Sequence, residues 1–309
     1  MQWNQIKTLF ILCFLILDVY LLMQFMEKQE RADVGVLTSQ EETSFESKLE
    51  QEDITISDNE VEIEKDSYIS VLRREYSDKE LSQLADLDKQ YVEVIDKNLI
   101  VSKFEEPIAI PDKAQSADIS KLVKSHIIHP EDFTFWGWNK DRNALLFFQE
   151  KENRPIYFNE NGMLLVYLNK DNEMEYYTQT MLGEAEEQGD LRTLTKPMKA
   201  IEILYNANEL YAEDNITNTE IGYHTRIPLA NGKQVFAPTY KITVNDERNY
   251  FINAIEGHIF ASNDTEFIGD AIQSTLSKIK KLEDEVEWKD SILQLLNQKL
   301  QVEGSRGEE

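Results

Sequence analysis

The feature that most constrains this chain is an apolar run at its N-terminus. It extends from Leu9 to Met26 and is broken only by Asp18, Tyr20 and Gln24. As a helix rising ~1.5 Å per residue it would span about 27 Å, close to the hydrocarbon thickness of a bilayer. Ile6, Lys7 and Thr8 can extend it. A cleaved signal peptide would need a small-x-small site after the apolar core. The residues there are Glu27, Lys28, Gln29 and Glu30, so the run reads as an uncleaved anchor. Lys7 before it and Lys28 and Arg31 after it leave the positive-inside count undecided. A short N-terminal segment ahead of a long polar remainder suits a cytoplasmic N-terminus with the rest outside.

Asp18 would then lie near mid-membrane, where an Asp costs roughly 2.5–3.5 kcal/mol on insertion scales. One helical face carries Ile11, Phe14, Leu15, Asp18, Leu22 and Phe25. Two readings stand side by side: contact with another membrane helix, and a tolerated, protonated polar residue.

Beyond the anchor, charge narrows the choice of partner. The chain carries 58 Asp+Glu against 32 Lys+Arg, a net charge of −26. Such a chain is repelled by nucleic acid and by anionic lipid. Residues 27–66 hold fourteen acids and four bases, with sparse apolar residues. They read as an extended, self-repelling linker. The single cysteine, Cys13, excludes an intrachain disulfide and a cysteine-based zinc site.

Aromatic content rises from Ser67, and the pattern becomes that of a folded domain over 67–263. Ser77 and Glu80 have capping-box spacing. Strands are expected at Tyr91–Ile95 and Asn98–Phe104, and a helix at Asp118–His126. Strands follow at Phe133–Trp138, Leu145–Gln149, Pro155–Phe158, Met163–Asn169 and Glu175–Met181, joined by Asn/Asp/Gly turns. A second helix is expected near Lys196–Leu210, then strands at Ile216–Arg226, Val235–Val244, Tyr250–Ile255 and His258–Phe260. Asn231-Gly232 and Glu256-Gly257 supply turns. Helix-then-strands thus occurs twice. The pattern predicts an α+β fold, helices against a twisted antiparallel sheet.

Residues 264–309 change character again. No Gly or Pro occurs within Asp270–Gln301, and Ile272, Ile279, Val286, Leu293 and Leu300 recur every seven residues. This predicts a long C-terminal helix with partial heptads, either a coiled-coil strand or a helix folded back on its own domain.

Catalytic and metal signatures are weak. His126 and His129 lie three apart, but Pro130 ends the helix there and no third ligand is indicated. No nucleophile elbow, zinc-protease motif or phosphate loop occurs. Phe133, Phe135, Trp136 and Trp138 could form a sugar platform, though a hairpin with one aromatic face in a core explains them more simply. No catalytic, cofactor-binding or metal residue is assigned.

Certain residues carry a resemblance. Met1-Gln-Trp3, Ile6-Lys7-Thr8 and Phe14–Val19 resemble the anchor of YycI (WalI) proteins of Gram-positive bacteria. Ile221-Gly-Tyr223, Phe236-Ala-Pro238-Thr-Tyr240, Tyr250–Ala254 and Glu256-Gly257 resemble the end of that family's extracytoplasmic domain. The resemblance covers roughly 1–265. It implies a single-pass, non-enzymatic protein without a cofactor, restraining the WalK sensor histidine kinase together with a YycH-like partner in control of cell-wall metabolism. It makes the Asp18 face a contact for kinase helices, and the segment past Asp270 an extension to the family domain. The alternative is a membrane-anchored ligand-binding or hydrolytic surface protein, with a polar pocket near Trp136, Trp138 and His258.

Overall fold

Two-residue alternation organises the densest part of the chain. In β6 (Ala144–Lys151), Ala144, Leu146 and Phe148 face one core while Leu145 and Phe147 face another. In β8 (Met163–Leu168), Met163, Leu165 and Tyr167 face the first, and Leu164, Val166 and Leu168 the second. Strands buried on both faces read as continuous apolar runs, which makes these two legible in the sequence. The structure is a computed structural model. It describes residues 7, 12, 14–15, 17–24 and 39–301, apart from 58–60, 62, 86, 88, 229–232, 261 and 283–285.

These strands belong to one sheet, here sheet B. Its order is β3 (Gln90–Ile95), β4 (Leu99–Ala109), β9 (Glu173–Thr180), β8, β6 and β5 (Phe133–Asn139), all antiparallel. On one face lie α2 (Asp78–Ala85) and α3 (Ser116–Lys124), the latter burying Ile119 and Val123. The other face is covered by α5 (Asp264–Ile279) and α6 (Lys289–Leu300). The Ser77 capping box forms as expected. The Ser77 amide and hydroxyl donate to Glu80 Oε2 at 2.8 and 2.6 Å, and the Glu80 amide returns to Ser77 Oγ at 3.4 Å.

Sheet A is built around β12 (Lys233–Val244). Its neighbours are β11 (Asn215–Pro228) on one side, and β13 (Arg248–Asn253) and β2 (Lys65–Arg73) in succession on the other. β10 (Leu182–Thr193) forms the edge beyond β2, β14 (Ile259–Phe260) extends β13, and β1 (Thr55–Ile56) adds to β11. α4 (Pro197–Asn206) buries Ala200, Ile201 and Leu204 against Tyr240, Ile242 and Val244. Short β7 (Arg154–Tyr157) joins the two sheets, pairing with β6 and, in parallel, with β11.

Three expectations need correction. The sheet is mixed, because β1–β11 and β7–β11 run parallel. The 27–66 span is not wholly a spacer. Within it α1 (Ser39–Gln51) inserts Phe45 and Leu49 into the core under sheet A, and Ile54 follows them. Three well-spaced apolar residues outweigh an acidic background once a partner surface exists.

The C-terminal helix is two helices. The chain turns after Ile279, with Lys281 and Leu282 amides bonding carbonyls three residues back, and Trp288 anchors the return at 7% exposure. The break resets the register. Ile272 and Ile279 are fully buried, but in α6 the core positions are Ile292 and Leu296, while Leu293 and Leu300 are only partly buried. The hairpin folds back on its own domain. It is fastened at its end by Arg142 and Lys299. Arg142 Nη1 donates to the Lys299 and Leu300 carbonyls at 2.7 and 3.1 Å. Lys299 Nζ donates to the Arg142, Asn143 and Leu168 carbonyls at 3.1, 2.8 and 2.8 Å.

Candidate functional site

The N-terminal residues singled out by the sequence do not enter the cores above, so far as they are described. Residues 17–24 are helical, and Phe14, Leu15, Asp18 and Leu22 are exposed. Ile11 and Phe25 lie outside the described residues, as does the Asn231-Gly232 turn. Among the described residues no helix is long and apolar enough to cross a membrane.

The two histidine candidates do not converge. His126 Nδ1 meets the Leu122 carbonyl at 2.9 Å and Ser125 Oγ at 3.0 Å. His129 Nε2 meets Glu80 Oε1 at 2.5 Å, where Arg74 also arrives. Burial would raise the Glu80 carboxyl, but the Ser77 bonds, His129 and Arg74 outweigh it and hold it at about 2. This is a helix cap tied to a turn. Sequence spacing discloses Ser77 and Glu80 but not Arg74 or His129. His224 stacks on Phe260 at 4.2 Å, and burial lowers its pKa. Among the described residues no group of three or more His, Cys, Asp or Glu could hold a metal ion.

What the fold does bring together is a polar cleft at the seam of the two sheets. β5 pairs with β6 on one side only, and its other side looks toward β7, β11 and β12. Two adjoining cavities lie there, of about 150 and 390 Å³, sharing Trp136 and Lys241. Trp136 is not a free sugar platform. Its indole N–H donates to Asp264 Oδ2 at 2.9 Å, Lys241 Nζ lies 5.0 Å from its ring centre, and Phe148, Tyr157, Phe158 and Phe251 crowd it. Phe135 packs on Phe147 in the opposite core.

Lys241 donates to Glu220 Oε2 at 2.9 Å across the β11–β12 ladder. Burial pushes the Glu220 carboxyl up, and the Lys241 bond and charge with Asn218 pull it net below its usual value. Asp264 is raised by burial, against the indole bond. Tyr157 is 1% exposed, and its hydroxyl has no hydrogen-bond partner among the described residues. Burial, then the charges of Glu220 and Glu150, raise its pKa, so it stays a phenol. Gly222 makes room for it: a Cβ there would sit 2.5 Å from Tyr157 Cε2 and 2.9 Å from Cζ. Such a glycine inside a strand signals close approach of another group, and that signal could have located the site. The Trp136 and Trp138 part of the expected pocket is present, but His258 does not line it. Nearby, Arg154 bonds Asp66, Tyr223 and Glu152, pinning β7 to β2 and β11.

Fold and site together define an α+β domain of two helix-and-meander halves with a polar cleft at their seam. A model of the YycI protein family matches residues 35–255, well over half the chain. The chain belongs to the YycI family. An uncharacterized protein from Eubacterium rectale is similar in structure at 9% identity and a TM-score of 0.41, over 68% of this chain and 91% of that one. YycH from Bacillus subtilis is similar at 10% identity and a TM-score of 0.35, over 59% of this chain and 52% of its own. No curated protein matches the chain. α5 and α6 lie beyond the family match.

Proposed function

We propose that this protein is a non-enzymatic regulator of a cell-wall two-component system, restraining a WalK-like sensor histidine kinase together with a YycH-like partner. Membership of the YycI family over 35–255 carries this reading. In it, Leu9–Met26 is the single membrane anchor, the N-terminus is cytoplasmic and the α+β domain is extracytoplasmic. The anchor packs on the kinase helices through Ile11, Phe14, Leu15, Asp18, Leu22 and Phe25. The domain docks the YycH-like protein as a heterodimer. Restraint requires that this complex bind one signalling state of the kinase more tightly than the other. A hydrogen bond from Asp18 inside the bilayer contributes about 1 kcal/mol to such packing.

The test is a photo-crosslinking probe at Leu15 in the full chain, with the product identified in cells. A kinase adduct that weakens in the Asp18→Leu variant is the expected result. Adducts to lipid only, with kinase output unaltered by Asp18→Leu, would refute the reading.

A further inference from the structure

We propose that α1 with β1 is a releasable strap that sets how far the domain stands from the membrane. The inference rests on the anchor reading above. With Leu9–Met26 in the bilayer, the twelve residues 27–38 join the anchor to α1. At ~3.3–3.6 Å per residue they reach at most about 43 Å. The next point tied on both sides is β2, held between β10 and β12 from Lys65 onward. When α1 and β1 let go, residues 27–64 become the tether, and its limit rises to about 137 Å.

Three observations make α1 the part that lets go. Its grip is small. From 45 to 51 only Phe45 and Leu49 are buried, and the other five side chains are exposed. By contrast α5 buries seven of its sixteen residues. The helix also opposes itself. Glu42, Glu46 and Glu50 stand four apart, a spacing at which like charges destabilise a helix. Beyond Ile54, the remaining ties lie at the rim of sheet A. The Tyr205 hydroxyl donates to Glu52 Oε1 at 2.7 Å, the Glu213 amide donates to the Glu52 carbonyl at 2.8 Å, and β1 adds two residues to β11. Asp53, Thr55 and Ser57 are exposed there, so water competes for these bonds. Few buried contacts and exposed hydrogen bonds mark the segments of a fold that open first.

Release changes the encounter with a membrane-embedded partner and leaves the sheets intact, because β2 keeps both its neighbours. Local concentration at the end of a flexible tether falls roughly as the −3/2 power of its length, so lengthening it from twelve residues to thirty-eight dilutes the domain about sixfold at the membrane. A docked α1 holds the domain beside the kinase, and a released one withdraws it.

The test is hydrogen–deuterium exchange on the full chain in phosphatidylcholine nanodiscs, read beside energy transfer to acceptor lipid from a dye at Glu187→Cys, with Cys13→Ser. Amides of 45–56 should exchange at least tenfold faster than those of 201–206 in α4, while β12 stays protected. Phe45→Ser should bring 45–56 to the unprotected rate and lower the transfer, with β12 still protected. Glu46→Lys places a cation between Glu42 and Glu50, so it should slow exchange over 45–56 and raise the transfer. Four results would each overturn the proposal: exchange of 45–56 no faster than α4, loss of β12 protection along with α1 in Phe45→Ser, faster exchange in Glu46→Lys, and unaltered transfer once 45–56 is unprotected. A chain that leaves the nanodisc refutes the anchor reading instead, and exchange over 45–56 then still decides whether α1 releases.

Discussion

Sheets A and B solve the same problem in different ways. Sheet B is covered on both faces, by α2 and α3 on one and by the α5–α6 hairpin on the other. Sheet A has its helices, α1 and α4, over one face, and it ends in β10, an edge strand whose residues are mostly exposed. β10 carries Glu184, Glu186, Glu187 and Asp190. Such charge on an edge discourages pairing with a stray strand. One sheet therefore hides its apolar surface with additional chain, and the other ends in a strand with little apolar surface to hide.

The comparison breaks most visibly if the hairpin is removed. A chain lacking 264–309 exposes to water the sheet face that carries Val101, Leu146, Leu165 and Tyr167. It should lose its cooperative thermal transition and bind a hydrophobic dye. A truncated chain that still unfolds cooperatively would show that one cover suffices for sheet B as well. Next in size, Leu276→Ala in α5, 2% exposed, should cost about 2–5 kcal/mol in urea unfolding. Leu191→Ala on β10, 62% exposed, should change stability by no more than about 0.5 kcal/mol. Equal costs at the two positions would erase the distinction.

The fastening of the hairpin sharpens the contrast through pH. Burial, only partly offset by Glu175, pulls the Lys299 ammonium down to about 8. The folded chain then binds fewer protons than the unfolded chain between about 8 and the ordinary lysine value of ~10.4, so stability rises with pH across that window. Lys299→Met should flatten this rise in denaturant titrations taken from pH 7 to 10. The smallest effect concerns the cap on the other face. Glu80 is held at about 2, so its contribution is complete above the ordinary glutamate value of ~4.3 and fades as pH falls toward 2. Glu80→Gln should remove that part of the acid dependence, and an unaltered acid profile would mean the cap is energetically silent.

Legibility in the sequence follows burial. Met163–Leu168 and Ala144–Phe148 announce themselves because both faces are apolar. The Ser77 cap and both helix-then-strand runs are likewise visible. β2 and β10 are not: β2 directly follows acidic text, and most of β10 faces water, so neither shows a clean alternation. α1 is hidden by its charge, since Phe45 and Leu49 mean little without α4 to receive them. The heptad count finds apolar spacing in the C-terminal segment but not the turn after Ile279, where the docking surface, rather than propensity, decides where the chain reverses. At the cleft, Trp136 and Trp138 stand out by type. Tyr157, Glu150, Glu220 and Lys241 come from four separate strands, and only the sheet seam makes them neighbours.

The place of β2 carries a consequence for how the molecule is made. This strand, Lys65–Arg73, lies between β10 at 182–193 and β12 at 233–244. The portion synthesised early is clamped by portions synthesised late. Until the β12 residues have emerged, β2 has no second partner, and until α6 has emerged one face of sheet B is bare. Pairings this distant in sequence are slow to close and leave strand edges open meanwhile. Assembly of the domain is thus tied to completion of almost the whole polypeptide, and the growing chain must be shielded from its neighbours until then.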